Sequence, residues 1–335
     1  MSITGWPMSS RGFLFDDMPT ISFWTAAPVF IVGMPRSGTS LLVRLMRKYL
    51  NINFGSESQF IVSYFKRLHK FGNLSDPRNM DRLIRKVVRE RCFARWRRQY
   101  GFSIDPDLLK QNIKEPNFRS LLDAIYGQFA RYAGRQRWGD KYPPHCLDMP
   151  VLETLYPEAQ YVHIIRDGRD VALSLQKVNF GPKNFLQIAF CWQHYITTAQ
   201  KFGDTVPQTR YHEIRYENLL QDPVGVMSDL ARFVQIEKGF QEVVSRIRKQ
   251  IHGDLETNNI LKWKTGLTQT QIQMFEKGGG DLLQSLGYGV HAWDGRGPSC
   301  MEKTVSYFHN IYCCCRNSQY LRNQFSHFRT VLRRL

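Results

Sequence analysis

Gly33-Met-Pro-Arg-Ser-Gly-Thr-Ser40 has the glycine spacing of a phosphate-binding loop, with Ser40 at its hydroxyl position. Thr39 stands where such loops carry a lysine for a terminal phosphate, and Arg36 lies inside the loop. The amides of Ser37, Gly38, Thr39 and Ser40 can point at an anion held at a helix N-terminus. The hydroxyls of Thr39 and Ser40 add donors, and Arg36 adds a charge that can fork across two oxygens. The missing lysine and the lack of a convincing Walker B strand argue against a Mg²⁺-dependent nucleotide hydrolase. A second anion-suited turn is Arg166-Asp-Gly-Arg169. There Asp167 and Asp170 flank arginines and are expected to orient them.

Such loops need strands behind them. Pro28-Val-Phe-Ile-Val-Gly33 is a short β-branched run ending in glycine, as in a buried parallel strand. Leu41, Leu42, Leu45, Met46 and Tyr49 follow at helical spacing, the setting that makes a phosphate-loop match credible. Gln160-Tyr-Val-His-Ile-Ile165 is a second strong strand, stopped by the turn at 166–169. Helices are expected over roughly 168–177 and 184–202, a weaker strand over Tyr211 to Tyr216, and mostly helix over 57–135. Short strands alternating with longer helices imply a parallel sheet, whose ligands lie beyond the carboxyl ends of the strands. Both anion-suited turns then face one crevice. His163, inside an apolar strand, is expected to be a core residue.

Composition sets the class. The chain of 335 residues is 42% hydrophobic and 13% aromatic, enough for one α/β domain with insertions or two small ones. Repeats, low-complexity tracts, a signal peptide and a membrane-spanning run are not seen. Seven cysteines, three of them adjacent at Cys313, Cys314 and Cys315, suit neither a disulfide framework nor zinc-finger spacing. A reduced, cytoplasmic location is the expectation. The net charge of +17 asks for an anionic partner. Eight basic residues lie between Arg82 and Arg98 against only Glu90. Ile84, Val87, Val88, Cys92 and Trp96 form one helical stripe there, leaving the basic residues the opposite face. Peripheral contact with anionic membrane is expected through that face or the tail. Nucleic acid is not, because no recognised binding motif accompanies the charge.

At this point the residues resemble a family. Phe30 to Leu42 looks like the 5′-phosphosulfate loop of sulfotransferases that use 3′-phosphoadenosine 5′-phosphosulfate. Tyr161 to Ser174 resembles their 3′-phosphate motif, with Arg166 at a strand end and Ser174 eight residues on. Trp138-Gly-Asp-Lys-Tyr-Pro143, Arg215-Tyr-Glu-Asn-Leu-Leu220 and Lys262-Trp-Lys-Thr-Gly-Leu267 are similar to further landmarks in the same order, over residues 28 to 288. The spacing is most similar to that of tyrosylprotein sulfotransferases and their bacterial relatives. The resemblance implies a P-loop-like parallel β-sheet flanked by helices, with helical insertions and a basic helical tail. It divides the chain into an N-terminal segment at 1–27, a sulfotransferase domain at 28–298 and an aromatic-rich tail at 299–335.

It also assigns roles. Arg36, Ser37, Gly38, Thr39, Ser40, Arg166, Ser174, Tyr216 and Lys262 would bind the donor without a metal. Tyr216 would pack on adenine or serve as a strand-end core residue. Glu57 falls where that group has its catalytic carboxylate, suited to take the proton of an attacking hydroxyl. Lys141 matches the lysine that stabilises the leaving phosphate, with Arg36 beside it. Asp140 is the competing base, or an ion-pair partner of Lys141. Gln59 and Leu261 stand where the protein-tyrosine pattern has arginine and serine. The acceptor is a hydroxyl on a glycan, lipid, small molecule or peptide tyrosine, in preference to an amine. Two rivals remain: a nucleotide-dependent kinase with a degenerate loop, and a non-catalytic basic protein that binds anionic membrane or nucleic acid.

Overall fold

The structure, a computed structural model, describes residues 27–236, 239–256 and 258–316, with side chains through Tyr312. The N-terminal segment before residue 27, the tail after Arg316 and the side chains of Cys313, Cys314 and Cys315 lie outside the described residues. Five parallel strands form the sheet: β1 (Val29–Val32), β2 (Ile52–Phe54), β3 (Arg137–Lys141), β4 (Gln160–Ile165) and β5 (Tyr211–Arg215). Their order is β2-β3-β1-β4-β5. The chain leaves β1, builds outward to β2, returns through β3 and then crosses to β4. The loop after β1 therefore opens between the ends of β3 and β4, the reversal point where ligands of such sheets gather.

All four residues of β1 are fully buried because both faces of the sheet are covered. Val29 and Ile31 point to the face packed by the helices Thr39–Tyr49, Tyr216–Gln221 and Pro223–Phe233. Phe30 and Val32 point to the other, among Trp138, Tyr156, Tyr161 and the helices between residues 61 and 132. A third apolar cluster around Trp192 and Phe275 joins the helices Gly168–Gln176, Phe185–Gly203 and Gln269–Ser285. The helix Cys300–Arg316 lies along Phe185–Gly203.

Two expectations change. β3 does not read as a strand, yet Gly139, Asp140 and Lys141 are buried in it. Gly139 is required there, since a Cβ would come within 2.3 Å of the Phe54 ring and 2.6 Å of the Val29 carbonyl. The stripe over 82–98 belongs to two helices, Pro77–Val87 and Arg91–Tyr100, with a break at Val88 to Glu90. Its apolar members are inside as expected, with Val88 half-buried. Seven of the eight basic residues are exposed and Arg95 is half-buried, though three of the eight are also anchored to neighbouring groups. Arg82 donates to the carbonyls of Lys70 and Phe71, Arg95 to that of Glu57, and Arg97 to Ser103.

Candidate active site

The loop after β1 is shaped by backbone that few side chains permit. Gly33 has φ of 148°, and a Cβ there would lie 2.5 Å from the Ile164 carbonyl oxygen. Ser37 N–H closes a turn on the Met34 carbonyl at 3.1 Å. Arg36 holds a left-handed φ of 76°, a conformation costing a non-glycine residue about 1 kcal/mol or more. Gly38, at φ 97°, precedes the helix Thr39–Tyr49 and offers no side-chain cap. The first amides of that helix are thus left for an external acceptor. A Cβ on Gly38 would meet the Tyr216 ring at 2.3 Å.

On the β4 side, the first residue after the strand is Arg166, whose side chain is only 7% exposed. Its two terminal nitrogens donate to the carbonyls of Arg36 at 3.2 Å and Asn259 at 2.8 Å, while Nε is buried without a partner. The guanidinium lies 4.4 Å from the centre of the Tyr216 ring, and Tyr216 Oη accepts from Asn259. Tyr216 is thus wedged among Gly38, Arg166 and Asn259. Arg36 Nε donates to Ser174 Oγ at 2.9 Å, so the loop arginine reaches across to the second motif. These residues line a cavity of about 310 Å³ together with Thr39, Ser40, Lys177, Asn259 and Lys262. Lys177 and Asn259 were not foreseen. Lys177 follows Ser174 by nearly one helical turn, a spacing that could have flagged it.

Two carboxylates brace this side. Asp170 accepts the Trp263 amide at 2.9 Å, which ties the segment carrying Lys262 to the helix Gly168–Gln176. Burial pushes its carboxyl above the ordinary value, against the pull of Arg166 at 3.8 Å. Asp167 caps that helix through the Arg169 amide and takes two further bonds from the Arg169 guanidinium. Arg169 also bonds Glu276, and its charge lies over Trp263. It is a buried structural ion, whereas Arg166 lines the cavity.

On the β3 side, parallel register sets which neighbours can react. Lys141 pairs with Ile31 and Asp140 with Phe30, so the two charged residues leave opposite faces of the sheet. Lys141 Nζ reaches Glu57 Oε1 at 2.6 Å and Ser40 Oγ at 3.4 Å. Asp140 is fully buried, bonded by Ser58, Tyr126 and His145 at 2.5, 3.0 and 3.0 Å. The expected Asp140–Lys141 pair is absent. The other role considered for Asp140, the competing base, is also disfavoured: a carboxylate sealed under three partners has no route to an acceptor. Glu57 is held through its main chain, its carbonyl accepting from Arg95 at 3.1 Å. Beside it, Trp96 bonds the Ser56 carbonyl and leaves no room for a Cβ on Gly55. Arg95 and Trp96 thus position the carboxylate, a role that the charge pattern alone could not reveal.

His163 is fully buried on β4, and its Nδ1 lies 2.7 Å from Tyr211 Oη and 3.2 Å from Glu213 Oε1. It sits in the core network, as its apolar strand suggested. Burial pushes the Glu213 carboxyl upward, but bonds from His163, Tyr211 and Gln200 outweigh it and hold the group at about 2.

Residues 28–242 match a family model described as the sulfotransferase family. An omega-hydroxy-beta-dihydromenaquinone-9 sulfotransferase of Mycobacterium tuberculosis is 27% identical over 165 residues, covering 45% of this chain and 41% of the relative. Protein-tyrosine sulfotransferase A of Caenorhabditis elegans is 23% identical over 248 residues, 70% of this chain and 56% of its own. The chain thus spans about half the length of these curated relatives or less. A sulfotransferase domain from the curacin biosynthetic pathway aligns with 79% of this chain and 99% of its own, at 18% identity and a TM-score of 0.45.

Proposed function

The chain belongs to the sulfotransferase family, and from that premise we propose that it transfers a sulfuryl group from 3′-phosphoadenosine 5′-phosphosulfate to an acceptor hydroxyl. One arrangement carries the reading. A helix N-terminus without a side-chain cap stands between a cavity lined by four cations and a lysine–carboxylate pair. The donor suits that cavity, whose volume is in the range of small-molecule sites and whose buried Arg166 Nε lacks an acceptor. Bound there, it would supply an activated sulfuryl group on a phosphate leaving group.

The remaining chemistry falls to the chain. Arg166, Ser174 and Lys262 hold the 3′-phosphate end, and Tyr216 fixes the wall behind it. The amides and hydroxyls of Ser37, Gly38, Thr39 and Ser40 hold the 5′ end at the helix N-terminus. Glu57 Oε1 is taken by Lys141, which leaves Oε2 to accept the acceptor proton as oxygen attacks sulfur. Lys141 and Arg36 then answer the charge that builds on the leaving phosphate. No metal enters this scheme.

The acceptor class is a hydroxyl on a glycan, lipid, small molecule or peptide tyrosine. The names of the two curated relatives point to a hydroxylated menaquinone and to protein tyrosine. Gln59 and Leu261 favour an acceptor other than peptide tyrosine. The test is thermal melting with adenosine 3′,5′-bisphosphate or AMP in the presence of chelator. The bisphosphate raises Tm by mass action and AMP does far less. Equal shifts, or a shift that needs Mg²⁺, would instead favour the degenerate kinase. Transfer of ³⁵S from labelled donor to host extract then identifies the acceptor.

A further inference from the structure

The helix Cys300–Arg316 is amphipathic the wrong way round for a helix docked on a protein body. Polar side chains tie it to that body. Glu302 pairs with Lys277, Ser306 accepts from Gln187 at 2.7 Å, and Asn310 accepts from the amides of Lys183 and Asn184. His309 adds a bond to the Asn184 amide group. Ser306 is the buried residue of this row, at 4% exposure. With 3.6 residues per turn, about 100° apart, Met301, Val305, Phe308 and Ile311 fall on the arc away from Ser306. They are 77%, 57%, 63% and 41% exposed, and Tyr307 is 56% exposed. Most large apolar residues left exposed among those described lie on this one helix.

Its start is fixed in place. Ser299 Oγ accepts from the Glu302 amide while Glu302 accepts from the Ser299 amide, a reciprocal cap. The outward apolar face is therefore held open on a docked helix. The sequence that runs on from Glu302 carries charge of one sign. From Lys303 to the end of the sequence there are six basic residues and no acidic one, in a chain of net charge +17. A helix that pairs an exposed apolar face with a cationic following sequence fits the interface of a bilayer rich in anionic lipid. We propose that this helix lays its Met301–Val305–Phe308–Ile311 face on an anionic lipid surface.

The loop that Asn310 holds at Lys183 and Asn184 begins just after Lys177, which lines the cavity.

The experiment is co-sedimentation of the full chain with vesicles of phosphatidylcholine alone or mixed with phosphatidylserine. The expected result is binding to the mixed vesicles, weakened by salt, and little binding to phosphatidylcholine alone. The triple variant Val305→Ser, Phe308→Ser, Ile311→Ser should lose roughly 100-fold in partitioning, because three apolar side chains no longer leave water. It should keep the melting shift produced by adenosine 3′,5′-bisphosphate, which also reports that it is folded. Phe308→Glu, a single outward change, serves as the second variant and should weaken binding in the same direction. No sedimentation with mixed vesicles, equal sedimentation with neutral ones, or wild-type partitioning by both variants overturns the proposal. So does light scattering that shows a dimer which the triple variant dissolves, for then a second copy covers the face.

Discussion

The two flanks of the loop at 33–40 are built in opposite ways. On the β4 flank, buried Arg166 is fixed by two main-chain carbonyls, and Asp170 pins the opposite wall through an amide. On the β3 flank, Lys141 and Glu57 hold one another side chain to side chain, with Glu57 34% exposed. The first flank is in place before a ligand arrives. The second is a charge pair whose members can part. In the proposed reaction, donor recognition belongs to the rigid flank and proton transfer to the flank that can rearrange.

Substitutions can break that division. Glu57→Gln should give the largest effect, a fall in single-turnover transfer of roughly 10²- to 10⁴-fold, with the melting shift from adenosine 3′,5′-bisphosphate unchanged. An equal loss of product binding would show that the flanks are not separable. Arg36 joins the loop to Ser174, so Arg36→Ala should lower transfer by roughly 10²-fold and weaken donor binding less. Arg36→Lys should not restore it, because the planar fork is lost.

Arg166→Ala should abolish most of the preference for the bisphosphate over AMP, on the order of tenfold in relative affinity, measured by calorimetry. Transfer at saturating donor should change little. The smallest effect lies beneath the β4 flank. Glu213, with its folded pKa near 2 against an ordinary 4.5, binds fewer protons folded than unfolded. Its stabilisation is complete above about pH 4.5 and is lost as pH falls toward 2. Glu213→Gln should flatten the acid limb of denaturant-measured stability by about 1 kcal/mol, after allowance for its partial exposure. An unchanged limb would remove Glu213 from the account.

Legibility in the sequence followed how local each cause is. β1 and β4 are apolar runs that glycine or a charged turn ends, so their bounds could be read directly. β3 could not, because Asp140 and Lys141 are satisfied by partners distant in sequence: Tyr126 for one, Glu57 for the other. The loop and both arginines were readable from spacing. That Arg36 would turn toward Ser174, and that Arg95 would hold the Glu57 main chain, depends on contacts 138 and 38 residues apart. Side-chain direction across a parallel sheet needs register, and register needs all its strands. Hence Asp140 remained a rival to Glu57 until the faces were known.

The bonds from Arg166 to the carbonyls of Arg36 and Asn259 close chain loops of 130 and 93 residues. Loops of that length close late in folding, after helices and local turns have formed, because their entropic cost precedes any contact that rewards it. A refolding chain should therefore regain its helical circular dichroism before it can bind adenosine 3′,5′-bisphosphate. The donor pocket is a seam sewn last, and its appearance marks the moment at which the two halves of the sheet have met.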